Sequence, residues 1–140
     1  EKELIELALE LGSDCPFFIK NTPQQVSGRG EILEDSSLCL KGKFIALINP
    51  GIHISTSEAF SKIDVIDKNL TESHSWKTSS NDFQLAAEAD YPEIKAALDE
   101  LKSLGAIYVS LSGTGSTVYG IFDHAFDFKP GPNRWFFELN

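Results

Sequence analysis

One carboxylate has neighbours in the sequence that could hold it in place for chemistry. Asp14 follows an amphipathic helix predicted over residues 1–11 and precedes a short apolar run, 17–19, that predicts a strand. Gly12 can end the helix and Pro16 prevents its continuation, so Asp14 is expected on a tight helix-to-strand connection. A carboxylate on a loop with rigid neighbours is well placed for chemistry. The alternative interpretation is a turn residue whose oxygens accept hydrogen bonds from nearby backbone N–H groups.

A glycine-rich turn is the second segment of interest. Ser112, Gly113, Thr114, Gly115 and Ser116 separate two predicted strands. Small residues are common in turns, and two glycines separated by one residue do not make a phosphate-binding loop. On spacing alone, the segment therefore predicts a turn and no ligand.

Apolar patterns predict the elements that would position these segments. The continuous run at 44–48 is typical of a buried strand inside a sheet. Residues 92–104 have the clearest helical stripe, with Pro92 at its start and Gly105 after its end. Three more strands are expected at 106–111, 117–122 and 135–139.

Shorter signals predict the remaining elements. Ser55 is expected to cap a helix, with Glu58 completing a capping box, and Asn81-Asp82 to open another helix. Residues 24–27 predict a short extended piece. Polar or turn-rich segments are expected as connections at 31–38, 64–80 and 123–132. The whole pattern is α+β, with helices on a mostly antiparallel sheet.

Composition excludes several classes of protein. A formal net charge of −9 argues against nucleic-acid binding, which needs basic groups facing phosphates. With 41% hydrophobic residues over 140 positions and no long apolar run, we expect a globular protein without membrane contact. Cys15 and Cys39 are expected to be free thiols in a reducing cytoplasm. The histidines lack ligand spacing, so no metal site is expected on the protein's own residues.

An ordered series of motifs resembles one enzyme family. The motifs are GSDCPFF at 12–18, GRGE at 28–31, HIST at 53–56 with Phe60, NDF at 81–83 and LSGTGST at 111–117. Together they are similar to the 4-diphosphocytidyl-2-C-methyl-D-erythritol kinase family. That family belongs to the galactokinase, homoserine, mevalonate and phosphomevalonate kinase (GHMP) superfamily. The motifs span nearly the whole chain in the family's order, which makes the resemblance specific.

The resemblance implies roles for particular residues. Asp14 matches the catalytic aspartate, which accepts or orients the proton of the acceptor hydroxyl. Thr56 and Phe60 match positions that contact the cytidine end of the substrate. The alternative for this pair is a helix-capping threonine and a core aromatic residue. The turn Ser112, Gly113, Thr114, Gly115 and Ser116 matches a glycine-rich motif near the nucleotide site, with Gly113 and Gly115 allowing close approach.

The resemblance also implies a fold and a reaction. Residues 1–40 would be the tail of an N-terminal nucleotide-binding domain, and 41–140 a ferredoxin-like C-terminal domain that binds substrate. The reaction would be ATP- and Mg²⁺-dependent phosphorylation of the substrate's 2-hydroxyl, in non-mevalonate isoprenoid biosynthesis. The ATP phosphate loop is not in the sequence, so we expect the C-terminal part of a longer kinase, inactive as an isolated fragment. The alternatives are a homoserine or mevalonate type of kinase, or a non-catalytic ligand-binding module on the same fold.

Overall fold

The computed structural model describes residues 2–63, 76 and 79–140. The chain divides into two compact units, Glu1–Cys39 and Leu40–Asn140. This division does not show which kinase domain each unit belongs to. The assignment of 1–40 to the N-terminal domain and of 41–140 to the C-terminal domain therefore stays a prediction. In the described residues, no helix is both long enough and apolar enough to cross a membrane.

The first unit contains two helices and a hairpin. Helix α1 spans Lys2–Leu11, as predicted, and helix α2 spans Cys15–Lys20. Strands β1 (Gln24–Ser27) and β2 (Ile32–Asp35) pair antiparallel. The hairpin confirms the extended piece at 24–27. The polar connection predicted at 31–38 is wrong over β2, which pairs with β1 along its whole length.

The strand predicted at 17–19 is also wrong, because these residues lie inside α2. Pro16 occupies the first turn of that helix, where its missing N–H has no intrahelical partner to lose. Asn21 ends α2 in the left-handed conformation, with φ of 49°. Asp14 therefore connects two helices, whereas a helix-to-strand connection was expected.

The second unit is an α+β domain with one four-stranded sheet. Its elements are β3 (Phe44–Ile48), α3 (Thr56–Ser61), α4 (Gln84–Asp90), α5 (Pro92–Ser103), β4 (Tyr108–Leu111), β5 (Val118–Phe122) and β6 (Arg134–Glu138). The strands lie in the order β4-β5-β3-β6, and every neighbouring pair is antiparallel. The first strand of the unit is central and pairs with the third, which is the ferredoxin-like order. The predicted fold class is confirmed, and 123–133 contains no helix.

Helix α5 forms the core against the sheet. Its apolar stripe is buried at Ile94, Ala97, Leu98 and Leu101, as predicted. The helix approaches β5 so closely that a Cβ on Gly120 would lie 3.3 Å from the Leu101 Cβ. The core therefore depends on the longest periodic segment in the sequence.

Local details differ at the starts of two helices. Ser55 is the N-cap residue of α3, but its side chain makes no cap hydrogen bond. The predicted capping box is wrong, because the Glu58 carboxylate instead accepts from Lys62 Nζ at 2.6 Å. Helix α4 begins at Gln84, after the predicted opening at Asn81. Most of the loop predicted at 64–80 lies outside the described residues.

Candidate functional site

Asp14 lies at the N-terminal end of α2 with its carboxylate exposed. It occupies the N-cap position, where an aspartate commonly accepts a hydrogen bond from the first-turn N–H groups. Its side chain makes no such bond. The alternative role as a local cap is therefore unsupported, and the helix does not use the carboxylate.

The hairpin of the first unit supports the segment that carries Asp14. Gly30 has a φ of 119° and is buried. A Cβ at Gly30 would collide with the backbone carbonyl oxygen of Ser13. The backbone N–H of Arg29 donates to the Glu31 carboxylate at 2.7 Å, which fixes the turn. The GRGE motif is thus the close packing partner of the segment just before Asp14.

Helix α3 presents Thr56 and Phe60 at the surface of the second unit. Thr56 is the first residue of the helix and is exposed, while the N-cap position belongs to Ser55. The Phe60 ring is 60% exposed and meets the Phe83 ring edge-on, with centroids 5.0 Å apart. The alternative roles of helix cap and core aromatic are therefore wrong. Residues four apart on a helix share one face.

The glycine-rich turn has two glycines with different surroundings. Gly113 and Gly115 have φ values of 56° and 100°, which disfavour other residues. A Cβ on Gly115 would lie 2.9 Å from the Ile54 Cδ1, so this glycine faces the packed interior. A Cβ on Gly113 would meet no atom within 4 Å. The outer side of the turn is therefore open within this unit.

A small groove lies between this turn and helices α3 and α4. Its floor is apolar and includes Ile54, Ala59, Phe83, Ala87 and Tyr91, and Thr114 contributes the turn side. Neither Thr56 nor Phe60 lines it. The second unit therefore brings the glycine-rich turn and α3 to one groove, whereas Asp14 belongs to the first unit.

An ion-pair bridge that sequence reasoning missed crosses this groove. Lys62 Nζ lies 2.7 Å from Asp90 Oδ2 and 2.6 Å from Glu58 Oε1, which ties α3 to α4. The hydrogen bond to Asp90, and next in size the hydrogen bond to Glu58, raise the pKa of Lys62 above its ordinary value. The spacing of four residues between Glu58 and Lys62 indicates a possible ion pair on one helix face. Asp90 is 28 residues from Lys62 in sequence, so no local pattern could predict its contact with Lys62.

Two requirements of a kinase site, metal ligands and room for a nucleotide, can be compared with the described residues. Within them, no group of three acidic, histidine or cysteine side chains could hold a metal ion. The open side of Gly113 is compatible with the close approach of a nucleotide to the turn.

Comparison with known proteins identifies relatives with one shared name. A 4-diphosphocytidyl-2-C-methyl-D-erythritol kinase of Azobacteroides pseudotrichonymphae is 45% identical over 130 residues, covering 86% of this chain and 49% of the relative. The enzyme of that name from Bacteroides fragilis is 39% identical over 133 residues, covering 87% and 47%. The one from Parabacteroides distasonis is 36% identical over 138 residues, covering 91% and 50%. The chain thus spans about half the length of the curated relatives it matches.

Fold comparison and a family model agree with these relatives. A crystal structure of 4-(cytidine 5'-diphospho)-2C-methyl-D-erythritol kinase aligns with a TM-score of 0.66 at 23% identity, covering 84% of this chain and 47% of that one. At this identity the likeness shows the fold. Residues 58–128 match the family model described as GHMP kinases C terminal. The chain therefore belongs to the GHMP kinase family and contains its C-terminal domain.

Proposed function

We propose that the complete protein phosphorylates the 2-hydroxyl of 4-diphosphocytidyl-2-C-methyl-D-erythritol, and that this chain supplies the acceptor side of the site and a turn beside the donor nucleotide. The observation that carries the proposal is the identity of 36–45% to kinases of that name over 86–91% of the chain. These relatives are about twice as long as the matched region. A segment outside this chain would therefore hold the ATP phosphates.

Asp14 is the proposed catalytic residue. Its carboxylate would accept the proton of the acceptor hydroxyl, or hold that hydroxyl in line for transfer. Two features support this role: the side chain makes no cap bond to α2, and the GRGE turn packs against Ser13. The backbone before this carboxylate is thus held by packing, and the side chain is free to contact the acceptor.

Thr56 and Phe60 are the proposed contacts for the cytidine end. The exposed Phe60 ring offers a face for stacking, and its edge-on contact with Phe83 restricts its rotation. The Thr56 hydroxyl lies at the start of the same helix and can hydrogen-bond to a base edge. Base stacking and a polar contact from one helix suit a pyrimidine nucleotide.

The glycine-rich turn is proposed to lie beside the donor nucleotide. ATP, when bound, supplies the phosphoryl group, and Mg²⁺ would neutralise its phosphates. The turn's contribution is a backbone that a phosphate or ribose can approach without meeting a side chain at Gly113. Ser112 and Thr114 add hydroxyl groups to the accessible part of this segment, whereas Ser116 is buried and its hydroxyl lies 3.4 Å from Asn49 Oδ1.

The first prediction tests Asp14 in the complete enzyme. Asp14→Asn should lower kcat at least about 100-fold, because the amide cannot accept the hydroxyl proton. Phosphorylation of the cytidyl substrate by ATP with Mg²⁺ is the measurement. Glu34→Gln, an exposed carboxylate on β2, is the matched control and should keep full activity.

Three results would contradict parts of this proposal. Equal turnover by wild type and Asp14→Asn would remove Asp14 from the mechanism. Activity with homoserine or mevalonate, and none with the cytidyl substrate, would transfer the assignment to another GHMP kinase. No turnover of any such alcohol, together with measurable binding of the cytidyl substrate, would favour a non-catalytic module.

A further inference from the structure

Asn81 makes an unusually complete set of contacts for a side chain outside a helix or strand. Its Nδ2 donates to the backbone oxygens of Leu111 at 2.9 Å and Gly113 at 2.8 Å. Its Oδ1 accepts from the backbone N–H of Phe83 at 2.8 Å. Both amide N–H groups and the amide oxygen can therefore be satisfied at once, which holds the side chain in one orientation.

The two acceptors of Asn81 bracket the start of the glycine-rich turn. Leu111 is the last residue of β4, and Gly113 is the second residue of the turn. Gln84 reinforces this contact, since its Oε1 accepts from the Leu111 N–H at 3.0 Å. The Gln84 amide is itself held by Glu88 at 2.7 Å. Side chains at the start of α4 thus bind both backbone groups of Leu111.

The same short segment also contacts helix α3. Phe83 lies between Asn81 and Gln84 in sequence, and its ring packs against Phe60. Phe83 lines the groove together with Thr114 of the turn. One stretch of four residues therefore touches both the proposed cytidine-binding helix and the turn proposed to lie near ATP.

We infer that Asn81 is a positioning residue that sets the glycine-rich turn for its contact with the donor nucleotide. The inference rests on the proposed function, because only that function gives the turn a ligand. Asn81 touches no reacting atom and acts through the carbonyl groups of Leu111 and Gly113. Its removal should therefore change the interaction with ATP more than the interaction with the cytidyl substrate.

The test compares two substitutions in the complete enzyme. Asn81→Asp keeps the shape but replaces the two N–H donors by an oxygen facing two carbonyl oxygens. Asn81→Ala removes the contacts without adding repulsion. We expect the KM for ATP to rise at least about tenfold in Asn81→Asp and less in Asn81→Ala, while the KM for the cytidyl substrate changes less than about twofold. Asn140→Asp makes the same chemical change at an exposed position and should behave as wild type.

Backbone hydrogen exchange supplies a readout that does not depend on activity. Exchange at residues 111–115 should accelerate at least about tenfold in Asn81→Asp, with α5 unchanged. An unchanged turn, or acceleration that is equal in α5, would overturn the inference. So would a lower kcat with both KM values unchanged, which indicates only fewer folded molecules. A wild-type enzyme without kinase activity would refute the proposed function, while the exchange experiment still decides whether Asn81 holds the turn.

Discussion

At the scale of single residues, Gly30 packs against the backbone of Ser13, just before Asp14. Gly30 lies where any side chain would collide with the Ser13 carbonyl oxygen, one residue before Asp14. Its positive φ adds a second reason for glycine. The proposed catalytic carboxylate is therefore placed partly by a residue that has no side chain.

The second prediction concerns this glycine. Gly30→Ala should destabilise the protein by more than about 2 kcal/mol, because backbone strain adds to a clash with another backbone atom. It should also reduce kcat by displacing the segment before Asp14. Thermal unfolding and steady-state kinetics are the measurements.

Gly42→Ala is the matched control for that substitution. Gly42 also has a positive φ, 76°, but a Cβ there meets no atom within 4 Å. Its cost should be limited to conformational strain of about 1 kcal/mol. Equal losses at the two glycines would show that the contact with Ser13 contributes nothing.

The sequence predicts some of the candidate site residues but not the tertiary contacts that hold them in place. Asp14, Thr56 and Phe60 belong to short motifs that a resemblance can align position by position. Asn81 belongs to such a motif too, yet its partners Leu111 and Gly113 are 30 and 32 residues away. Contacts at this separation follow from tertiary packing, which no local pattern encodes.

At the scale of elements, length decides which predictions succeed. Helix α5 has three turns of regular apolar spacing, so its periodicity is unambiguous. Helix α2 has six residues, too few to distinguish a helix from a strand in an apolar run. Pro16 is the available signal for α2, since proline is common in a first helical turn, but the same residue also marks the end of the preceding helix.

An ion pair connects the edge strand β6 to helix α5. The Arg134 guanidinium donates to both Glu100 oxygens, at 2.6 and 3.1 Å, and lies 4.7 Å from the centre of the Phe128 ring. These contacts occur where the segment 123–133 has no helix to cover the sheet. The ion pair therefore holds strand β6 to helix α5.

The third prediction concerns the pH dependence of this pair. The hydrogen bond from Arg134 lowers the pKa of Glu100 below its ordinary value. The resulting stabilisation is present above the unfolded-state pKa of about 4.3 and is lost as the pH falls through the lower folded-state pKa. Because the Glu100 side chain is 42% exposed, we expect only about 0.2–1 kcal/mol.

Thermal unfolding of Glu100→Gln between pH 3 and pH 7 measures the effect. The variant should be less stable than wild type near neutral pH and should approach wild type at the acid end. Glu138→Gln, an exposed carboxylate on β6, should track wild type throughout. A deficit of constant size across the whole range would show that the charge of Glu100 is unimportant.

At the scale of the whole molecule, the two units differ in their cores. The hydrophobic core cluster in the described residues lies entirely within the second unit, from Phe44 to Phe136. In the first unit, the described buried residues are Ala8, Pro16 and Gly30. The order of the strands, with β3 between β5 and β6, was expected only from the resemblance, because pairing partners in this sheet are distant in sequence.

The fourth prediction follows from this difference. A fragment of residues 40–140 should unfold cooperatively in urea, whereas residues 1–39 alone should show no cooperative transition. Chains of about 40 residues rarely bury enough surface to fold without help. Circular dichroism of the two fragments is the measurement, and a cooperative transition in the short one would refute the argument.

The central position of β3 has a consequence for biosynthesis. Its neighbour β6 is the last of the four strands of this sheet in sequence, with Phe137 opposite Ile45. During translation, the apolar strand Phe44–Ile48 emerges long before either neighbour exists. A nascent chain that ends before residue 134 would leave one side of that strand open to other polypeptides, so the domain is exposed to aggregation until β6 has been synthesised.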